Sequence, residues 1–270
     1  GIMLTILITE SGGPAAVGLI KTIRQCLFDI TIIATDADPL AAGLYLSDHH
    51  SVVPYANEKN YINVLLQLVK EYDVNLILPT GENDLQKLSS NKKLFEEHGC
   101  KIFISDLDTI VTCQNKFEFY KSLKAANFPV PLTFNGSMIL KPIKGSGSRG
   151  IKMLNLQDQI IQQYLPGKEY TVDVFCNMDS HIMNHVIRER IAIKAGISTK
   201  GKIIQNKEMS SIVIKLAKHL RLKGPTCIQF KENEMGLPFI IECNPRLGGG
   251  TYMCTLAGVN YAELYYNIYN

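Results

Sequence analysis

Short β-branched runs alternate with longer segments of helical period over the first ~105 residues, and this alternation constrains the chain more than any single motif. MLTILIT, from Met3, leads through a glycine turn into a helix from about Pro14 to Cys26. ITIIAT, VVPY, NLILPT and KIFIS read as the following strands, with helices from about Tyr61 to Tyr72 and Asp84 to His98 between them. Strands separated by covering helices form a parallel sheet, so the expectation is a doubly wound, Rossmann-like α/β unit. The texture changes after a helical run, NKFEFYKSLKAANF, which the prolines of PVP (Pro129, Pro131) terminate. MILKP, GIKML, IIQQYL, EYTVDVFC and HIMNHVIRER then follow with short connections, the pattern of antiparallel strands. A helix from about Met209 to Leu220, the strands TCIQF and PFIIECN, a triple glycine and a last helical run complete an α+β region. The expected division is 1–112 and 113–270.

A chain of 270 residues, 46% of them hydrophobic, can bury two cores. Its formal charge is only +3 with scattered basic residues, which argues against nucleic acid or an anionic membrane as partner. No apolar run reaches the ~18 residues needed to span a bilayer. No basic leader precedes the first strand, and a cytoplasmic location is expected. The seven cysteines contain no C-x-x-C pair and several sit in apolar runs, which fits reduced core thiols.

Two stretches carry chemistry. LKPIKGSGSRG, from Leu140 to Gly150, places Gly145, Ser146, Gly147 and Ser148 beside Lys141, Lys144 and Arg149. Glycine N–H groups and serine hydroxyls can converge on a phosphate, although a solvated hairpin turn has the same composition. It is not a P-loop, because Ile151 and not lysine follows Gly150. The second stretch is PFIIECNPR. Period-two alternation points Glu242 and Asn244 to one face, joined by Arg246 if the strand persists past Pro245. Gln229, in TCIQF, supplies a third oxygen from a neighbouring strand. Carboxylate and amide oxygens suit Mg²⁺, and an arginine beside them suits a phosphoryl group. Glu242 with Asn244 alone would read as a solvated strand end; the two stretches together favour the metal. A third feature, ESGGPAAVG with Asp36 after the next strand, imitates a dinucleotide fingerprint but lacks its G-x-G-x-x-G spacing.

Lys141 to Gly150, QQYLPGKEYTVDV, GPTCIQF and IIECNPRLGGG occur in the order and spacing of the ATP-grasp superfamily, and most resemble its carbamoyl-phosphate-synthase large-subunit type and single-module relatives. ITESGGPAAVG, ATDADPLAAGLYLSD and ILPTGEND resemble the pre-ATP-grasp domain that precedes it. The resemblance implies ATP and Mg²⁺, with Mn²⁺ as a substitute, and a ligase that activates a carboxylate as an acyl phosphate for attack by an amine. It implies a small glycine-loop lid over about 132–168, phosphate contacts from Lys116, Lys141 and the Gly145–Ser148 loop, and an adenine hinge at Gln163, Tyr164 and Leu165. Glu169 would receive the ribose, Gln229, Glu242 and Asn244 the metal, and Arg246 the transferred phosphoryl group. Arg188, in IRER, is a further candidate for substrate or acyl phosphate, with an exposed strand charge as the alternative. Relatives commonly carry Glu at the position of Gln163 and have a longer segment, with a lid helix, between GIKML and IIQQYL. Small-molecule carboxylate and amine substrates are the expected partners, and a homodimer is left open. Competing classes are a non-catalytic ATP-binding module and a nicotinamide-dependent oxidoreductase. His181 and His185 lie in an extended run and suit a surface role better than a metal.

Overall fold

The computed structural model describes residues 3–26, 29–194 and 197–250. Its first part runs β1 (Leu4–Thr9), α1 (Pro14–Arg24), β2 (Ile30–Asp36), β3 (His49–Val52), α2 (Tyr61–Tyr72), β4 (Leu76–Pro79), α3 (Leu85–Ser90), α4 (Lys92–Glu96) and β5 (Lys101–Ile102). The strands form a parallel sheet in the order β3-β2-β1-β4-β5. Pro14 opens α1, where its missing N–H costs nothing. Asp73, in the left-handed region at φ 52°, ends α2.

Two helices, α5 (Leu107–Gln114) and α6 (Lys116–Ala125), lead into the hairpin β6 (Thr133–Leu140) and β7 (Lys152–Gln162), which form a sheet of their own. Asn115 caps α6 by accepting from the N–H groups of Phe117 and Glu118. The remaining elements are β8 (Glu169–Cys176), β9 (Ile182–Lys194), β10 (Ile197–Ile204), α7 (Lys207–Leu220), β11 (Gly224–Glu232) and β12 (Pro238–Asn244). Their antiparallel order is β10-β9-β8-β11-β12.

Several elements differ from the sequence reading. The third strand is HHSV and not VVPY, because β3 pairs with β2 only as far as Val52, and Pro54 has no N–H to continue the ladder. The helix expected over 84–98 is two. Asn91 leaves the helical region at φ −114°, and its side-chain amide donates to the carbonyl of Lys87 at 2.7 Å, competing with the helix ladder. Most of GIKML and the start of IIQQYL belong to one strand, β7, whose register skips from Leu156, opposite Gly136, to Ile161, opposite Phe134. Asn135 closes this bulge by donating to the carbonyls of Leu156 and Gln159. Helix α5 and strand β10 had no counterpart in the reading. The final helical run and Cys254 lie outside the described residues.

One core joins the two sheets: Phe103, Phe175, Val186 and Leu247 pack with the buried faces of β1, β2 and α1. Ser105 and Lys223 exchange hydrogen bonds, Thr109 donates to the carbonyl of Leu220 at 2.7 Å, and Lys223 pairs with Asp106 at 2.7 Å. The expected boundary at 112 falls within α5, which packs against α3, α6 and β12. Among the described residues no helix is long and apolar enough to cross a membrane. All six described cysteines are free thiols, and all but Cys26 are buried.

Candidate functional site

Strand register assembles the site. Glu242 pairs with Gln229, Gln229 with Thr171, and Thr171 with Arg188, so these residues form one transverse row across β12, β11, β8 and β9. Directly opposed residues share a face. The next row on that face is Asn244, Cys227 and Asp173. Cys243 takes the opposite face with Ile228, Val172 and Ile187, and all four are buried in the core against α7. The alternation expected of Glu242, Cys243 and Asn244 is therefore present.

Gln229, Asn244, Thr171, Arg188, Arg190 and Arg246 line a cavity of ≈ 240 Å³, closed on the other side by Gly13 to Ala15 of the first helix turn and by Thr80 to Glu82. Arg246 does not extend β12, which ends at Asn244; a tight turn brings it to the cavity instead, its N–H donating to the carbonyl of Asn244 at 2.8 Å. Arg188 is not an exposed strand charge. It is 2% exposed, and its Nε donates to Asp173 Oδ2 at 2.8 Å. Gly250 packs on the guanidinium so closely that a Cβ there would lie 2.1 Å from Arg188 Cζ. Cys227 faces the cavity as well, but burial pushes its thiol up to about 12, which removes it as a thiolate nucleophile.

The expected donors suit Mg²⁺ chemically; Gln229 and Asn244 line the cavity, whereas Glu242 lines neither this cavity nor the one beside it. The three supply one carboxylate and two amide oxygens, and a Mg²⁺ site of this kind is completed by phosphate oxygens and water. Among the described residues no protein hydrogen bond engages the side-chain amide of Gln229 or Asn244. Lys116 Nζ lies 3.7 Å from Glu242 Oε1, so this face already attracts a cation. Among the described residues no cluster of three His, Cys, Asp or Glu side chains competes with it.

A second cavity, ≈ 370 Å³, adjoins the first through Gln229 and Arg190 and contains Gln163, Tyr164, Leu165 and Glu169. The backbone N–H of Gln163 is already donated to the carbonyl of Leu132 at 2.8 Å, and its side-chain Oε1 accepts from the Leu132 N–H. The Gln163 N–H, expected at the hinge, is therefore already committed within the chain. Lys231 Nζ stands 5.4 Å from the Tyr164 ring centroid and 3.1 Å from Glu169 Oε1, while Arg190 holds the other carboxylate oxygen at 3.3 Å.

Lys141 and Gly145 to Ser148 stand apart. They are exposed on the β6–β7 loop and line neither cavity. His185 is elsewhere too, bonded through Nε2 to Ser210 Oγ at 2.9 Å in a groove beside α7, and His181 is exposed. Asp36 is occupied by the turn: it accepts from Gly12 N at 3.0 Å and Asp38 N at 2.8 Å, a local reason for an acid there.

Sequence reading assigned no role to Asp173 or Glu82. Asp173 stands two residues from Thr171 in EYTVDVF, so strand alternation places it on the site face. Glu82 lies in ILPTGEND, which carried the resemblance of the first domain but no residue assignment.

A family model described as PylC-like, N-terminal domain, matches residues 6–103, and one described as ATP-grasp in the biosynthetic pathway with Ter operon matches residues 155–269. The chain belongs to the ATP-grasp superfamily. Solved structures share the fold of this ATP-grasp protein at low identity. The biotin carboxylase complex from Campylobacter jejuni matches 98% of this chain and 70% of its own at 16% identity and a TM-score of 0.68. The L-amino acid ligase from Bacillus licheniformis matches 97% and 72% at 15% identity and 0.64. The biotin carboxylase domain dimer of Hydrogenobacter thermophilus 2-oxoglutarate carboxylase, in complex with MgADP, ADP and bicarbonate, matches 92% and 65% at 17% identity and 0.61.

An acid in the first domain of this ATP-grasp protein gives a pH prediction. The Glu10 carboxyl lies where a Cβ on Gly81 would come within 1.2 Å of its Oε2, so a larger residue there would displace it. Burial first, and then Asp84, push it from 4.5 up to about 7, against opposing hydrogen bonds from Asn83. The folded chain thus retains a proton that the unfolded chain has released. Between pH 4.5 and about 7 this group makes stability fall as pH rises. Glu10→Gln is expected to flatten that part of the thermal-midpoint profile and to raise the midpoint at pH 8. An unchanged pH slope in the variant would contradict this origin.

Proposed function

We propose that the protein is a Mg²⁺-dependent ligase that transfers the γ-phosphoryl group of ATP to a carboxylate and couples the product to an amine. The arrangement that carries this reading is the joining of two cavities by Gln229: one beside the hinge residues and Glu169, the other lined by Asn244, Arg188, Arg190 and Arg246. A carboxylate oxygen forms the new bond to phosphorus as the bond to ADP breaks. The amine nitrogen then attacks the activated carbonyl carbon, inorganic phosphate leaves, and the amine proton passes to solvent.

Gln229, Glu242 and Asn244 would hold the metal, which when bound neutralises phosphate charge. Arg246 and Arg188 supply positive charge at the end of the cavity away from the adenine, where the phosphoryl group is in transit. Lys116 faces the phosphates from the first turn of α6. Tyr164 and Leu165 orient the base, and Lys141 with the Gly145–Ser148 loop closes over the phosphates from the β6–β7 hairpin. No covalent protein nucleophile is needed.

The likeness to the Bacillus licheniformis enzyme supports an amino acid as carboxylate or amine. The Hydrogenobacter thermophilus domain supports Mg²⁺ and a homodimer. We place the domain division at 112 and 113, with the lid over about 132–168. A second reading, a nucleotide-binding module without turnover, is favoured by the exposed glycine loop; ADP formation separates the two. An ADP-release screen of amino and hydroxy acids, with hydroxylamine as acceptor, tests the ligase directly. Mg·ATP at a hundredfold excess over Kd should add ~2.7 kcal/mol of stability, and NAD none. A thermal shift with NAD alone would remove the ATP-grasp ligase reading in favour of the oxidoreductase.

A further inference from the structure

Glu82 is contributed by the first domain, yet its carboxylate meets the arginine of the second: Arg246 Nε lies 2.9 Å from Glu82 Oε1. The other carboxylate oxygen accepts from Gln114 Nε2 at 2.9 Å, and the same nitrogen donates to the Glu82 carbonyl at 3.0 Å. Gln86 Nε2 in turn donates to Gln114 Oε1 at 2.8 Å. The acid is thereby held by α3 and α5. Arg246 is held at a second point, its Nη1 donating to the carbonyl of Leu247 at 3.0 Å. Among the described residues Nη2 has no partner, and Arg246 lines the cavity with Asn244 and Gln229. The Nε contact is an ion pair without hydrogen-bond alignment, so the Glu82 charge and the Nη1 bond together orient the guanidinium and leave the donors of Nη2 available.

We propose that Glu82 is a positioning residue: it holds the Arg246 guanidinium so that Nη2 meets the phosphoryl group, and so makes phosphoryl transfer depend on the first domain being in place. The proposal rests on the ligase reading. It also predicts that a movement of the Thr80–Glu82 turn, which lines the cavity directly, changes transfer without changing nucleotide affinity. Long flexible side chains lose conformational freedom when oriented, and a partner that orients one in advance removes that cost from the transition state.

Glu82→Gln keeps the volume and the acceptor for Gln114 but removes the charge at Arg246. It is to be compared with wild type, Arg246→Ala and the double variant, with thermal midpoints to confirm folding. The expected result is a loss of about tenfold in kcat for ADP formation, equivalent to an interaction of ~1.4 kcal/mol, with KM for ATP within about twofold. In the Arg246→Ala background the same substitution should change kcat by less than about twofold, because the group it acts through is gone. A merely structural role would lower both backgrounds equally, and that outcome overturns the proposal, as does a loss confined to ATP affinity.

Calorimetric binding of Mg·ADP with aluminium fluoride reads the same coupling without turnover. Wild type should bind nucleotide more tightly when fluoride is added, and Glu82→Gln should lose about tenfold of that gain. Tightening in wild type without ADP formation would overturn the ligase reading but retain the role of Glu82. Equal tightening in wild type and Glu82→Gln, or none in either, overturns the proposal itself.

Discussion

Glu242→Gln is expected to leave a folded protein with almost no Mg²⁺-dependent ATP turnover. Glu242 is the single carboxylate of the proposed donor set, and Gln229 and Asn244 are neutral amides. Replacing its anionic oxygen by an amide at nearly constant volume removes the strongest hard ligand while leaving strand pairing intact. Its side chain is 31% exposed, so the fold does not depend on its burial. Cys243→Ala provides the contrast. That side chain is 1% exposed, in the core cluster with Cys113, Ile228 and Val213. Its loss should cost about 1–2 kcal/mol of packing and spare turnover. Retained, Mg²⁺-dependent ADP release in Glu242→Gln, or its loss in a folded Cys243→Ala, would show that the metal is held elsewhere.

Asp173→Ala should produce the largest loss of stability among single substitutions at the site. Asp173 and Arg188 side chains are only 3–5% exposed and pair at 2.8 Å. Removing Asp173 takes away the carboxylate that pairs with the buried Arg188 guanidinium, and breaking a buried pair from one side costs about 3–5 kcal/mol. For a chain of this size that corresponds to a fall of about 10 °C or more in thermal midpoint. Replacing both residues together, Asp173→Leu with Arg188→Met, should restore most of the stability, since well-packed apolar side chains often match a buried ion pair. The double variant should remain inactive, because Arg188 lines the cavity. Chemical denaturation of the two proteins checks this. A destabilisation below about 1 kcal/mol in Asp173→Ala would mean that the pair is hydrated and not buried.

Much of the fold was legible because long, periodic segments state their own geometry. Helix α2 has the bounds read from its pattern, Tyr61 to Tyr72, and the strands of the parallel sheet follow β-branched runs. Helix α5 was missed because LDTIVTCQ is short and rich in β-branched residues; its apolar positions become a buried face only when Thr109, Ile110 and Cys113 meet their neighbours. Strand β10, ISTKGKII, is an edge strand with glycine and lysine where an apolar alternation would have marked it. The break at Asn91 depends on one side-chain hydrogen bond, which a helical period does not report.

At the proposed site, chain chemistry alone determined the common face of Glu242 and Asn244 and the opposite placement of Cys243, because alternation along a strand is a property of the extended backbone itself. It also determined the division into a parallel sheet and an antiparallel one, because hydrophobic period and turn residues act between neighbours in the chain. Only the tertiary structure decided that Gln229, Thr171 and Arg188 extend the row, since register is chosen by the packing of whole strand faces. The same holds for the pairing of Arg188 with Asp173, for Arg246 reaching the cavity from a turn, and for its contact with Glu82 in the other domain. Ion pairs between distant segments carry no local periodicity; they exist because a core shared by Phe103, Phe175, Val186 and Leu247 sets the two sheets against each other.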